Sequence, residues 1–295
     1  MKKNLFALGF MICSISMMGQ NDKKESWYFK LGGSYFTQAT ATEFPSVNGR
    51  EPNKDVLIGG KLASRESITG SFGEGFRFGG NVGYRFTNRL GVEMGINYYK
   101  SNSKTMVETI LNDVKAFESK GQVKALDLAP ALVLFLGEHN GFEPYTKVGV
   151  IVPVDGQLEI KTNAVTALGP VYRKDVIKPQ PTVGFLAVLG TSYQLGKNLS
   201  AYAEIEYRNF TVHGKDKTVE GYTVNGADGF SLPVGNPLHI SKSEININYG
   251  SSLNSTSNNK LTNATGYDES KPGDDLSSYI SISGIGLTLG LKYSL

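Results

Sequence analysis

The chain has 295 residues, 40% of them hydrophobic and 19% charged, with a formal net charge of +3. That charge is too small to support a nucleic-acid-binding surface, and nothing after the N-terminal region carries the long uncharged apolar run of a transmembrane helix. The single cysteine, Cys13, sits in the N-terminal apolar stretch; once that stretch is removed, disulfides and cysteine-ligated metal sites are excluded.

Lys2 and Lys3 precede an apolar run from Leu5 to Met18. This is the layout of a secretory signal peptide, with cleavage expected near Gly19 or Gln20. A membrane anchor would need about 20 apolar residues, more than this run supplies. Ile12, just before Cys13, is not the small residue a lipoprotein signal wants, so lipidation is not expected. The expected organisation is a signal peptide over residues 1–20 and one β domain over 21–295.

From Trp27 onward the sequence breaks into segments that alternate apolar and polar residues with period two, the pattern of half-buried strands. Trp27 to Thr37 sets Trp27, Phe29, Leu31 and Tyr35 against Tyr28, Lys30, Gly32 and Ser34. Gly75 to Thr87 sets Phe76, Phe78, Val82, Tyr84 and Phe86 against Arg77, Gly79, Asn81, Gly83 and Arg85. Leu90 to Lys100 sets Val92, Met94, Ile96 and Tyr98 against Glu93, Gly95 and Asn97. Val123 to Leu136 sets a leucine face against Asp127 and small residues. Tyr145 to Val154 sets four valines against Lys147 and Gly149. Thr182 to Leu195, Leu199 to Thr211 and Ile285 to Leu295 complete a set of eight.

The connections carry more weight than any one strand. Thr87-Asn88-Arg89, Gly137 to Phe142 with Asn140-Gly141, and Gly196-Lys197-Asn198 are short turns. Residues 38–74, 101–122, 155–181 and 212–283 are long. Short and long connections alternate without exception, as in outer-membrane barrels, whose periplasmic turns are short and whose external loops are long. The expected fold is therefore an all-β, antiparallel, up-and-down transmembrane β-barrel of eight strands with both termini on the periplasmic side. Ten strands is the alternative, because Glu220 to Val224 and Ile245, Ile247 and Tyr249 have strand spacing inside the last long connection. The polar run Ser251 to Asn263 reads as a loop tip. A soluble lipocalin-like barrel would place the leucine face of the fourth strand inside and Asp127 outside, against the parity of the charges.

Lipid satisfies no backbone hydrogen bonds, so a spanning sheet has to close on itself. One face of each strand then meets hydrocarbon and the other the lumen. The expected lumen charge network is Lys30, Arg77, Arg85, Lys147, Arg208 and Lys292 with Glu93, Asp127, Glu204 and Glu206. Enclosed charges of both signs should pair, and in an eight-stranded barrel side chains can fill the interior. A structural plug is favoured over a narrow conduit. Trp27, Tyr35, Tyr84, Phe86, Tyr98, Tyr193, Tyr207 and Tyr293 suit aromatic girdles at the two membrane interfaces.

Together, the alternating strands, the short-long rule and the C-terminal strand resemble the small outer-membrane barrels typified by the OmpA transmembrane domain, OmpX and OmpW. The resemblance covers nearly the whole mature chain and is one of pattern. Its most specific piece is Leu289-Gly-Leu291-Lys-Tyr293-Ser-Leu295, similar to the terminal signature read by the barrel-assembly machinery. That signature usually closes on Phe; here it closes on Leu295. The resemblance implies assembly by that machinery through Leu291, Tyr293 and Leu295, and contact with outer-membrane lipids and lipopolysaccharide as a monomer. It does not extend to a peptidoglycan-binding domain.

Other chemistry is sparse. His239, Ser241 and Glu244 are the one grouping worth weighing as catalytic, because alternate strand positions share a face; outer-membrane lipid A deacylases resemble this in using a His-x-Ser arrangement with an acid. Glu244 is off the His/Ser parity. Asp268 to Asp275 is acidic but lacks the spaced ligands of a calcium loop, and the Gly70 to Gly80 stretch lacks the strand-turn-helix context of a phosphate loop. No cofactor, metal or nucleic acid is expected. The functions open at this level are a non-enzymatic integral outer-membrane protein for envelope integrity, adhesion or surface interaction; a narrow porin for small polar or anionic solutes; and a lipid A-modifying enzyme.

Overall fold

A computed structural model describes residues 26–180 and 182–295. The signal peptide expected over residues 1–20 lies outside the described residues. Eight strands close the barrel, numbered here in chain order: β1 (Ser26–Gln38), β2 (Gly75–Arg85), β3 (Leu90–Ser101), β4 (Val114–Phe135), β5 (Phe142–Thr166), β6 (Gly184–Gln194), β7 (Leu199–Asn209) and β8 (Gly284–Ser294). Each pairs antiparallel with its sequence neighbours, and β8 returns to pair with β1, Tyr28 opposite Ser294 and Gln38 opposite Gly284. The ring is closed, so it has no open edge. Neither strand-like segment of the last connection enters it, and the ten-stranded alternative falls.

Parity sorts the two faces. On β3, Val92, Met94, Ile96 and Tyr98 are exposed on the outside while Glu93 and Asn97 are buried inside. On β8, Leu287, Leu289 and Leu291 are exposed and Thr288 and Lys292 are buried. An exposed leucine row beside a buried charged row reverses the order of a soluble protein and suits hydrocarbon outside.

Inward glycines let the ring close tightly. A Cβ on Gly32 or Gly290 would overlap the Tyr202 ring or hydroxyl, and one on Gly83 would overlap Tyr28. Large interior side chains are thus fitted against glycine on the neighbouring strands, the alternation of small and large that a narrow barrel needs.

The long connections are not the irregular loops that the sequence suggested. Beyond the barrel, β4 and β5 run on and recruit further strands into an open sheet. In order, it consists of Lys61–Ser67, Asn53–Ile58, Lys104–Leu111, the upper parts of β4 and β5, Gly169–Gln180, Thr211–Val224, Asn246–Gly250 and Gly273–Leu276. The turns responsible are short. Asn112 and Asp113 both take positive φ, as do Asn225 and Gly226, which is the two-residue hairpin geometry. The two outer strands carry Lys61, Arg65 and Glu66, and Asp274 and Asp275, charges that discourage further strand pairing at an open edge.

This extension has an apolar core of its own, continuous with the barrel's upper end. Phe44, Phe72, Met106, Phe117, Ile151, Leu158, Ile160, Ile177, Phe210 and Ile280 are all buried in one cluster. It accounts for the period-two rows Phe117, Ser119, Val123 and Leu158, Ile160, Thr162, which are buried on this core beyond the end of the barrel.

Candidate functional site

Among the described residues, many buried ionisable groups converge in the interior of the barrel. Three layers can be built upward from the short turns. In the lowest, Glu143 at the start of β5 receives Arg85 Nη1 at 2.5 Å and Lys292 Nζ at 3.2 Å. The guanidinium of Arg85 also lies over the Phe135 ring, 4.0 Å from its centre.

The middle layer is a four-charge box. Lys30 Nζ lies 2.7 Å from Glu93 and 3.2 Å from Glu204; Lys147 Nζ lies 2.9 Å from Glu93 and 2.8 Å from Glu204. Each cation touches both anions, so the box is neutral and cross-braced. Tyrosines enclose it: Tyr145 donates to Glu204 at 2.7 Å, Tyr28 donates to Glu93 at 3.0 Å, and Lys30 lies 4.2 Å from the centre of the Tyr145 ring. Lys30 is 2% exposed and Glu204 3%.

The upper layer pairs Arg77 with Glu206 through two parallel bonds of 2.6 and 2.5 Å, and Arg208 with Asp127 at 2.8 Å. Asn97 donates to Asp127 at 2.9 Å, and Ser34 and Thr288 share a hydrogen bond of 2.6 Å beside Arg77. Above this the barrel becomes apolar. Phe36 receives both guanidinium faces, at 4.9 Å for Arg77 and 6.0 Å for Arg208, and Tyr99 donates to the Phe72 carbonyl at 2.6 Å.

All ten lumen residues expected from the sequence lie in these layers. Parity alone missed Glu143, because Pro144 obscures the start of β5, and with it the partner of Arg85 and Lys292. Parity did place Tyr28 on the charged face, but gave the tyrosines no part in the network. With Glu143 included, six cations (Lys30, Arg77, Arg85, Lys147, Arg208, Lys292) face five anions (Glu93, Asp127, Glu143, Glu204, Glu206), so the cationic excess is one charge. Every one of these cations touches a carboxylate. Breaking up such a set is costly, since one uncompensated charge would be left buried.

On the outer face the aromatic residues fall at two heights. Trp27 packs against Tyr84 with ring centres 4.8 Å apart, and Tyr193 against Phe142 at 4.6 Å; with Phe86 and Tyr293 they ring the short-turn end. Tyr35 meets Phe76 edge-on at 4.9 Å and, with Tyr98 and Tyr207, marks the opposite height. Phe76 and Phe142 join these sets and were not singled out from the sequence. Leu291, Tyr293 and Leu295 point outward at the end of β8.

No hydrogen bond joins the side chains of His239 and Ser241. The His239 ring bonds the Leu232 carbonyl through Nδ1 at 2.7 Å. Ser241 precedes a one-turn helix, Lys242–Ile245, and Glu244 reaches back to accept from the Ser241 amide at 2.8 Å and hydroxyl at 2.9 Å. The acid therefore serves a helix start, and the strand parity assumed for His239 and Ser241 does not exist there. In the acidic segment, the Ser270 hydroxyl and amide lower the Asp268 carboxyl to about 2, and Asp274 accepts from the Asn258 amide at 2.7 Å. These carboxylates are engaged within their own loop. Among the described residues no His, Cys, Asp and Glu groups gather as a metal site.

The sequence matches the family described as outer membrane protein beta-barrel domain over residues 6–250. No curated protein matches the chain. Among solved structures the chain is similar to Neisserial surface protein A (11% identity, 92% of this chain and 99% of that one, TM-score 0.37). It is also similar to the outer membrane protein OprG of Pseudomonas aeruginosa (11% identity, 94% and 98%, TM-score 0.43). A third is Ail, the attachment invasion locus protein of Yersinia pestis (11% identity, 92% and 97%, TM-score 0.30), whose structure was solved with a heparin analogue.

Proposed function

This chain belongs to the outer membrane protein β-barrel family of the bacterial outer membrane, and we propose that it acts there as a non-enzymatic anchor. In this reading a sealed barrel holds a structured external sheet for adhesion, surface interaction or envelope integrity. The observation that carries the reading is the filled lumen: three layers of paired charge capped by Phe36, Phe72, Tyr99 and Phe210. A diffusion pore needs a continuous wet path, and stacked side chains in an eight-stranded barrel leave little room for one. The exposed edges and tips of the external sheet then carry any specificity. The barrel reaches the membrane after removal of a signal peptide over residues 1–20 and is inserted by the barrel-assembly machinery through Leu291, Tyr293 and Leu295. The paired aromatics at the two heights act as its interfacial girdles against lipid and lipopolysaccharide.

Single-channel recording of the purified protein in planar bilayers tests the anchor reading. The expected result is no stable conductance at moderate voltage. Steady openings in the wild type would replace the anchor with the second reading, a narrow porin, which the single excess lumen cation would bias toward anions.

Ser241→Ala tests the absence of lipid chemistry. The substitution is expected to cost about 1 kcal/mol of local stability through loss of the helix start, and to leave the lipid A mass spectrum of the host envelope unchanged. A wild-type-specific lipid product that disappears in the variant would restore the enzyme reading.

A further inference from the structure

A concavity opens in the outer wall where β8, β1 and β2 run side by side. Its floor is Gly33, which faces outward between Phe78 and Leu289 on the two flanking strands. Phe76, Tyr35 and Leu287 rise around it; it is open to the outside and holds about 1080 Å³.

The glycine on this floor is not required by the barrel. Its neighbour Gly32 faces inward, where a Cβ would run into Tyr202; a Cβ on Gly33 would find nothing closer than the Arg77 carbonyl oxygen at 4.0 Å. Glycine weakens a strand and gives up a lipid-facing side chain, and no packing inside compensates for it. What it does is keep the groove open.

At the upper rim stands Lys100, exposed, with no ion pair or hydrogen bond among the described residues. The surrounding charges are already paired: Lys104 with Glu74, and Lys124, opposite Lys100 on β4, with Glu159 at 2.7 Å. From Gly33 to Thr37 the groove runs about 13 Å along the strand. With the strand tilt of about 40° usual in such barrels this is about 10 Å of depth, running from the hydrocarbon up through the level of the Tyr35–Phe76 pair. It occupies the half of the wall nearest the long connections, which the reading above places in the outer leaflet.

We propose that this groove is a specific seat for one acyl chain of a phosphorylated glycolipid of the outer leaflet, of the lipid A type, with a phosphate of the same molecule on Lys100. The occupant follows from three properties taken together. The groove is apolar and follows the strand from Gly33 to Thr37, it lies on the outer-leaflet side, and a free cation sits at its upper rim, where an anionic oxygen forms a charge-assisted bond. The inference rests on the membrane-embedded reading.

The test uses full-length protein extracted from outer membranes in mild detergent, with co-purified lipid read by native mass spectrometry. Purified bis-phosphorylated lipid A, its dephosphorylated form and phosphatidylglycerol are then added back to delipidated protein. Gly33→Leu is expected to lower lipid A retention about tenfold, equivalent to the loss of one well-made contact set, and Gly33→Ala by less. Lys100→Gln is expected to abolish the preference for the phosphorylated form while leaving some binding of the acyl chain. Leu132→Phe, on the lipid face of β4, is the control and should change nothing. Equal retention by wild type and Gly33→Leu would overturn the seat, and equal binding of phosphatidylglycerol would overturn the occupant. The heat-dependent gel shift of a folded barrel is scored for every variant. Wild type without that shift would sink the membrane reading itself, a failure distinct from that of the groove.

Discussion

Glu204→Gln is expected to destabilise the folded barrel by about 3–5 kcal/mol, the usual consequence of removing one partner from a buried charge set. Glu204 accepts from Lys30 at 3.2 Å, Lys147 at 2.8 Å and the Tyr145 hydroxyl at 2.7 Å. Without its charge, two buried ammonium groups share Glu93 alone. Urea unfolding of the refolded protein in lipid vesicles gives the magnitude, and the temperature at which the folded band is lost on a detergent gel gives the direction. The double variant Lys147→Met, Glu204→Gln keeps one complete pair, Lys30 with Glu93, and is expected to recover at least about half of the loss. Should Glu204→Gln prove as stable as wild type, the box would have to be hydrated, and the sealed lumen on which the proposed function rests would be wrong.

The second large effect is expected from Gly32→Leu, set against Gly33→Leu one residue along the same strand. Gly32 faces inward at the seam where β8 closes the ring on β1. A side chain there overlaps the Tyr202 hydroxyl and comes within 2.9 Å of the Leu289 carbonyl oxygen. Backbone on the neighbouring strand cannot yield without opening the seam. Overpacking costs typically about 1–3 kcal/mol where the surroundings relax, so the expected loss lies at or beyond the upper end, with little folded band on the gel. Gly33→Leu points into the open groove and is expected to fold as wild type does. Similar behaviour of the two variants would mean that the faces of β1 are assigned incorrectly.

How far these residues were legible in the sequence follows from what each pattern measures. Lys30, Arg77, Glu93, Asp127, Lys147, Glu204, Glu206 and Arg208 could be placed on one face because side chains alternate strictly along a strand, and a charged residue between two leucines has one side available to it. Glu143 escaped because it sits at a strand end next to Pro144, where parity has no run to establish itself. Tyr28, Tyr145 and Tyr202 are ambiguous by type, equally at home at an interface or inside. His239 and Ser241 failed for the opposite reason. They were given strand parity in a segment that makes a helical turn, and a His-x-Ser spacing has no meaning without the strand beneath it.

The long connections show the same limit at larger scale. Their composition is polar, and polarity reads as loop. Yet the pairs Asn112-Asp113 and Asn225-Gly226 are hairpin turns, and Leu158 and Ile160 lie between polar residues because only one face of the external sheet is covered. The apolar partners of that face come from several separate connections: Phe44 and Phe72 from the first, Met106 from the second and Ile280 from the last. No single window of sequence contains enough of them to announce a core.

The sequence by itself determined the local and periodic facts: eight lipid-compatible strands with defined faces, alternating turn lengths and the charges directed inward. These depend on interactions within a few residues or on one strand's two environments. Only the tertiary structure decided which cation meets which anion, that Glu143 completes the lowest layer, that the external chain forms a sheet with its own core, and that Gly33 floors a groove beneath Lys100. Each of those depends on register and closure between strands far apart in the chain, where a shift of two residues keeps every face pattern intact and exchanges every partner.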